Sequence, residues 1–218
     1  MAVTRDALQM FTERREEYEL FIRAVLYRQG LRAFFVESPL LRPGVRVLDA
    51  GCGTGAVTLA LHDALAYRAI RPHSFQAFDL TPAMLNRFHA VLRGRSIERV
   101  TLVQANVLDL AGLPADWHDY DLVVSASMLE YVPRGQFVDA LKGLRGRLAH
   151  DGRFVLFITR RNALTRLLIG RWWQSNLYTA AELANAFRAA GFSHFAFRRF
   201  PVRASHLSLW GHIVEAAR

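Results

Sequence analysis

Residues 47–55 read Val-Leu-Asp-Ala-Gly-Cys-Gly-Thr-Gly, an acid followed at two-residue intervals by three glycines. Val45, Val47 and Leu48 before it suit a buried strand, and Ala56, Leu59, Ala60 and Leu61 after it begin a helical pattern. The stretch therefore predicts a strand running through a tight turn into a helix. Glycines in that turn accept φ > 0 and leave the backbone bare, so a ligand can lie against it. The first amides of the helix are unpaired donors aimed at the same place. The spacing Gly51, Gly53, Gly55 departs from G-x-G-x-x-G, whose amides face a pyrophosphate. Asp49 argues the same way: a carboxylate repels a phosphate but attracts an amine or a sulfonium.

The D-x-G-x-G-x-G arrangement resembles motif I of the class I S-adenosylmethionine (SAM) dependent methyltransferases. Later segments carry the likeness further. Ser74–Asp79 alternates toward an acid, and Leu80-Thr81-Pro82-Ala83-Met84-Leu85 is similar to the family's D-x-[ST]-x-x-M-[LI] continuation. Val100–Gln104 leads into Ala105-Asn106-Val107-Leu108, and Asp121–Ser125 into Ala126-Ser127-Met128-Leu129-Glu130-Tyr131-Val132-Pro133. The last of these resembles the family's "F-D-L-V-V-S … L-E-H-V-P" segment, with Tyr120 and Tyr131 as substitutions. The resemblance implies SAM as cofactor and S-adenosylhomocysteine (SAH) as product. It places the methionine part on Asp49, Gly51, Cys52, Gly53 and Gly55, the ribose on Asp79, and the adenine near Met84, Asn106 and the Val107 amide. Leu80 and Ser125 complete the expected lining. Asn106 stands where the family usually has Asp, although its carbonyl can accept the same hydrogen bond. The residues alone leave alternatives open: Met84 as an ordinary core side chain, and Asn106 as a turn residue bonding its own backbone.

Strands are expected near 45–49, 74–79, 99–104, 120–125 and 153–158, alternating with helices, which predicts a Rossmann-like, doubly wound α/β sheet with helices on both faces. The turn before the fifth strand is expected at His150-Asp151-Gly152. A helix near 179–190, capped by Thr179 and stopped by Gly191, precedes two final strands at 192–197 and 209–216. The expected total is about seven strands, mostly parallel, with a C-terminal antiparallel strand. One domain is the default at this length. Within it, residues 1–40 are expected as an N-terminal helical lid interrupted at Gly30. The SAM-binding core would be 45–158, an acceptor-side insertion 160–178, and a C-terminal helix and strand pair 179–218.

The single cysteine, Cys52, has no intrachain disulfide partner, and no signal sequence or membrane-length apolar run is present, so a cytoplasmic protein is expected. No Cys/His/Asp cluster argues for a metal. The formal charge of +9 is nearly all arginine, with lysine only at 142, and its clusters are scattered. Nucleic acid is therefore a disfavoured partner. A small-molecule acceptor is expected, planar and aromatic or lipid-like, bearing an acidic group. Tyr18, Arg161, Arg171, Trp172, Trp173 and Tyr178 offer flat surfaces and anion-binding forks for it. Plain packing of 160–178 against the sheet is the competing reading. Glu130 and Tyr131 are the candidates to touch the acceptor catalytically, against capping and core packing. The expected reaction is methyl transfer, with oxygen favoured over nitrogen or carbon as the acceptor atom. Its rivals are a non-catalytic SAM-binding subunit, a methyltransferase of nucleic acid or protein, and a nucleotide-dependent oxidoreductase.

Overall fold

The structure, a computed structural model, describes residues 26–72, 74–168 and 175–218. Seven strands form one sheet in the order β3-β2-β1-β4-β5-β7-β6. They are β1 (Arg46–Ala50), β2 (Ser74–Asp79), β3 (Val100–Gln104), β4 (Tyr120–Ala126), β5 (Leu148–Thr159), β6 (His194–Arg198) and β7 (Gly211–Ala217). The first five run parallel, and β7 enters antiparallel between β5 and β6. The connecting helices are α1 (Tyr27–Glu37), α2 (Ala56–Tyr67), α3 (Pro82–Gly94), α4 (Phe137–Gly146), α5 (Ala163–Leu168) and α6 (Ala180–Ala189). The central strands β1 and β4 are almost wholly buried, so they read as apolar runs rather than alternating ones.

Two apolar layers flank the sheet. Phe34, Phe35, Leu61 and Leu65 from α1 and α2 cover one face of β1, β4 and β5. Phe137, Leu141, Leu144, Leu183 and Phe187 from α4 and α6 cover the other. α3 packs Leu85, Phe88 and Leu92 against Ala77 and Cys52, beside the glycine turn. Thr179 caps α6 as predicted, in a reciprocal capping box with Glu182.

Two sequence expectations change. Gly30 does not interrupt a helix but lies inside α1, where a Cβ would stand 2.1 Å from Leu207 Cδ1. The glycine serves close packing against the Val202–Leu209 segment. Likewise His150-Asp151-Gly152 is not a turn before β5 but part of it. The register shifts between Tyr120 and Leu122, and a Cβ at Gly152 would meet the Tyr120 carbonyl oxygen at 2.5 Å. The Asp-Gly pair thus makes a bulge, which lets the strand begin at Leu148. The part of the expected lid at 1–25 lies outside the described residues.

Phe157 of β5 fastens α1 to the sheet, its ring centroid lying 5.3 Å from Phe34, 5.9 Å from Phe35 and 5.9 Å from Phe200. Phe157→Ala should cost about 3–5 kcal/mol of folding stability. Urea unfolding checks this; a loss under ~1 kcal/mol would mean the cluster does not hold α1.

Candidate active site

The carboxyl ends of β1, β2, β3 and β4 open into one cavity of about 620 Å³ with a mostly apolar lining. Small-molecule sites typically occupy roughly 300–1,000 Å³. Its floor is the turn between β1 and α2, and that turn is fastened to the end of β2. The amides of Gly51 and Cys52 both donate to the Phe78 carbonyl oxygen at 2.9 Å. The Gly53 amide donates to Asp79 Oδ2 at 2.8 Å, while the Thr81 amide donates to Asp79 Oδ1 at 2.8 Å. Thr81 stands at the N-cap of α3 without a side-chain cap bond to the helix.

The three glycines do different work. Gly51, Gly53 and Gly55 all have φ > 0, at 75°, 52° and 91°. A Cβ would strike Met128 at Gly51 and Phe88 at Gly55, so these two admit close packing behind the turn. At Gly53 a Cβ would meet nothing within 4 Å, on a residue that lines the cavity. The turn is bare toward the ligand space at that one point, which fits a ligand lying on the backbone.

Asp49 sits behind the turn, fully buried. Its Oδ2 accepts from the Thr58 amide at 3.1 Å and from Thr58 Oγ1 at 2.7 Å, while Oδ1 has no partner among the described residues. Burial pushes its carboxyl up to about 7, against the lowering effect of the Thr58 bonds. Burial also raises Asp79, offset in part by the Thr81 and Gly53 amides. The Cys52 thiol is pushed well up by burial and by the two nearby carboxyls, which disfavours thiolate chemistry there.

Of the residues expected to hold cofactor or acceptor, Gly51, Cys52, Gly53, Asp79, Leu80, Met84, Asn106, Val107 and Tyr131 all line the cavity. Asn106 Oδ1 accepts from the Leu108 amide at 3.0 Å, so the turn reading of this residue holds alongside its place on the wall. Asp49, Gly55 and Ser125 stand one layer back and shape the wall rather than face the space. Glu130, expected to touch the acceptor, is 3% exposed and is not part of the lining. Both of its carboxylate oxygens accept from Thr159. Two acceptor-side candidates are also engaged elsewhere. Tyr178 is buried with its ring stacked on Phe137, and Arg161 pairs with Glu182 at 2.9 Å. Tyr18, Arg171, Trp172 and Trp173 lie outside the described residues. The lining also includes residues that sequence reasoning missed, among them Tyr27 and Arg28 of α1, Arg87 of α3, and Ser127 and Met128 after β4. Arg87 had a usable signal, since Met84, Arg87 and Val91 share one helical face.

Strand order gives the cavity a direction. The β3 turn with Asn106, the β2 end with Asp79, the β1 turn with its glycines and the β4 exit with Ser127 and Tyr131 follow one another across the sheet. This seven-stranded sheet, with its antiparallel final strand, has the Rossmann-like methyltransferase fold. Residues 47–152 match the family model described as a methyltransferase domain. A highly reducing polyketide synthase of Emericella nidulans is 29% identical over 198 residues, covering 81% of this chain and 7% of the synthase. The chain thus spans a small fraction of that relative's length. Mitomycin 7-O-methyltransferase superposes with a TM-score of 0.72 at 16% identity, covering 97% of this chain and 60% of that one. Magnesium protoporphyrin IX methyltransferase from Synechocystis, with bound SAH, gives 0.65 at 21% identity, covering 89% of this chain and 83% of that one. Residues 47–152 thus match a methyltransferase domain, and the fold is the Rossmann-like one of the SAM-dependent methyltransferases. Among the described residues no group of three or more His, Cys, Asp or Glu could hold a metal ion, and no helix is long and apolar enough to cross a membrane.

Asp49 yields a pH prediction. Its folded pKa lies above the unfolded value, so its contribution is complete below about pH 4, is lost as pH rises toward 7, and then levels off. Without cofactor, the stability gap between wild type and Asp49→Asn should therefore shift against the wild type by about 2–4 kcal/mol between pH 4.5 and 7.5. Chemical denaturation at several pH values measures it; a gap independent of pH would contradict the burial of an ionisable Asp49.

Proposed function

We propose that this protein transfers the SAM methyl group to a small-molecule acceptor, with an oxygen nucleophile favoured. The observation that carries this reading is the continuity of the cavity. It runs from Asn106 and Asp79, past the bare turn at Gly53, to a hydroxyl-bearing end formed by Tyr27, Ser127 and Tyr131. In this reading the wall at Met84, Asn106 and Val107 receives the adenine, Asp79 accepts the ribose hydroxyls, and the glycine turn supports the methionine part. Asp49 holds the turn in shape through Thr58. The acceptor enters at the β4 exit, where Tyr27 Oη and Ser127 Oγ lie 3.4 Å apart.

When bound, SAM supplies an electrophilic methyl on a sulfonium. The protein's contribution is alignment and exclusion of water, since in-line displacement depends chiefly on proximity. The acceptor oxygen would form the new C–O bond as the C–S bond of SAM breaks, with SAH as the leaving group and the acceptor's proton passing to solvent. A second reading, methylation of an activated carbon, is favoured by the 29% identity to a polyketide synthase.

Incubation with methyl-labelled SAM and two probes, catechol and the acetoacetyl thioester of N-acetylcysteamine, separates the readings. Label in catechol is expected. Label in the thioester alone would shift the reading to carbon. Label in neither, with SAH still bound, would point to a non-catalytic SAM-binding subunit.

A further inference from the structure

The chain leaving β4 is irregular, yet it forms much of the cavity's acceptor end. Ser127 has φ of 53°, a single 3-10 turn covers Leu129–Tyr131, and Met128, Tyr131 and Val132 line the cavity. No strand ladder holds this wall in place. Its anchors are one backbone bond, from the Ser127 amide to the Phe157 carbonyl oxygen at 3.0 Å, together with side chains and the chain that precedes α6. Glu130 Oε2 accepts from the Thr159 amide at 2.9 Å, and Oε1 accepts from Thr159 Oγ1 at 2.9 Å. The Asn176 amide donates to the Glu130 carbonyl oxygen at 2.8 Å, and Asn176 Nδ2 donates to the Val132 carbonyl oxygen at 2.9 Å. Arg134 adds a bond to the Leu177 carbonyl oxygen at 2.6 Å and lies 4.8 Å over the Tyr178 ring.

We propose that Glu130 is a positioning residue: it fastens the wall formed by Met128, Tyr131 and Val132 to the end of β5 and to residues 175–178, and thereby fixes the acceptor end of the cavity. This rests on the reading of the β4 exit as the place of the acceptor. Residues 129 and 131 flank the bonded side chain directly, so its orientation sets theirs. A carboxylate working as a proton carrier would have to face the cavity, whereas both oxygens here are committed to Thr159, and neither residue belongs to the lining. The charge is also dispensable for the anchor. In a glutamine, the amide oxygen accepts from the Thr159 amide and the amide nitrogen donates to a rotated Thr159 hydroxyl.

The test is hydrogen–deuterium exchange with saturating SAH on wild type, Glu130→Ala, Asn176→Ala and Glu130→Gln. Peptides covering 129–134 and 175–178 should exchange about tenfold faster in both alanine variants, as expected for one or two lost hydrogen bonds. Glu130→Gln should stay within about threefold of wild type on the same argument. The peptide covering 46–61 and the SAH affinity should remain near wild type in all three. Unchanged exchange in both alanine variants would overturn the proposal, and so would equal loosening of 46–61. Loss of catechol methylation in Glu130→Gln with unchanged exchange would overturn it too, making Glu130 a proton carrier. If the wild type methylates neither probe, the function reading fails by itself and the exchange result still decides the role of Glu130.

Discussion

The site depends on one arrangement: the glycine turn is tied to the end of the neighbouring strand rather than held by its own sequence. Gly51 and Cys52 donate to the Phe78 carbonyl oxygen near the end of β2, and Gly53 donates to Asp79 itself. Asp79 therefore both faces the cavity and shapes its floor. Through the Thr81 amide the same carboxylate fixes where α3 begins, and through its carbonyl oxygen the Ala105 amide ties in the β3 turn. The ends of three strands, β1, β2 and β3, are brought into a row by bonds that converge on two residues. A change at Asp79 acts on binding and on loop shape together.

The turn carries a cost in buried charge. Asp49 is enclosed with one oxygen unpartnered, and burial moves its carboxyl to about 7. Glu130 reaches about the same value for the same reason, against two bonds from Thr159. Both acids sit directly behind the cavity wall: Asp49 ties β1 to the first turn of α2, and Glu130 ties the irregular chain after β4 to the end of β5. Burying a carboxyl is destabilising, and here each one fixes a segment that a plain apolar contact would leave free to shift.

The fold was legible because its elements are punctuated locally. Alternation toward Asp79, the Thr179 cap, and Gly191 after α6 are signals confined to a few neighbouring residues. The errors fell where distant contacts decide. Gly30 looks like a helix breaker until Leu207, far along the chain, is seen to press on it. Gly152 looks like a turn until the Tyr120 carbonyl oxygen shows why no side chain fits. In the site, positions such as Gly53, Asn106 and Val107, which the structure puts on the cavity lining, came from the resemblance to the family's motifs. Side-chain direction did not: nothing near Glu130 in sequence says that it turns toward Thr159, and nothing near Tyr27 says that it meets Ser127. The acceptor end is built from such long-range pairings, which is why the cofactor side was read more fully than the acceptor side.

The central claim is that SAM lies across the bare glycine turn with its ribose on Asp79. Calorimetric titration of SAH into the wild type and into Asp79→Ala tests it most directly. Saturable binding to the wild type is predicted, weakened by about 1–3 kcal/mol in the variant through loss of hydrogen bonds to a charged acceptor. An unchanged affinity in a folded Asp79→Ala protein would contradict it.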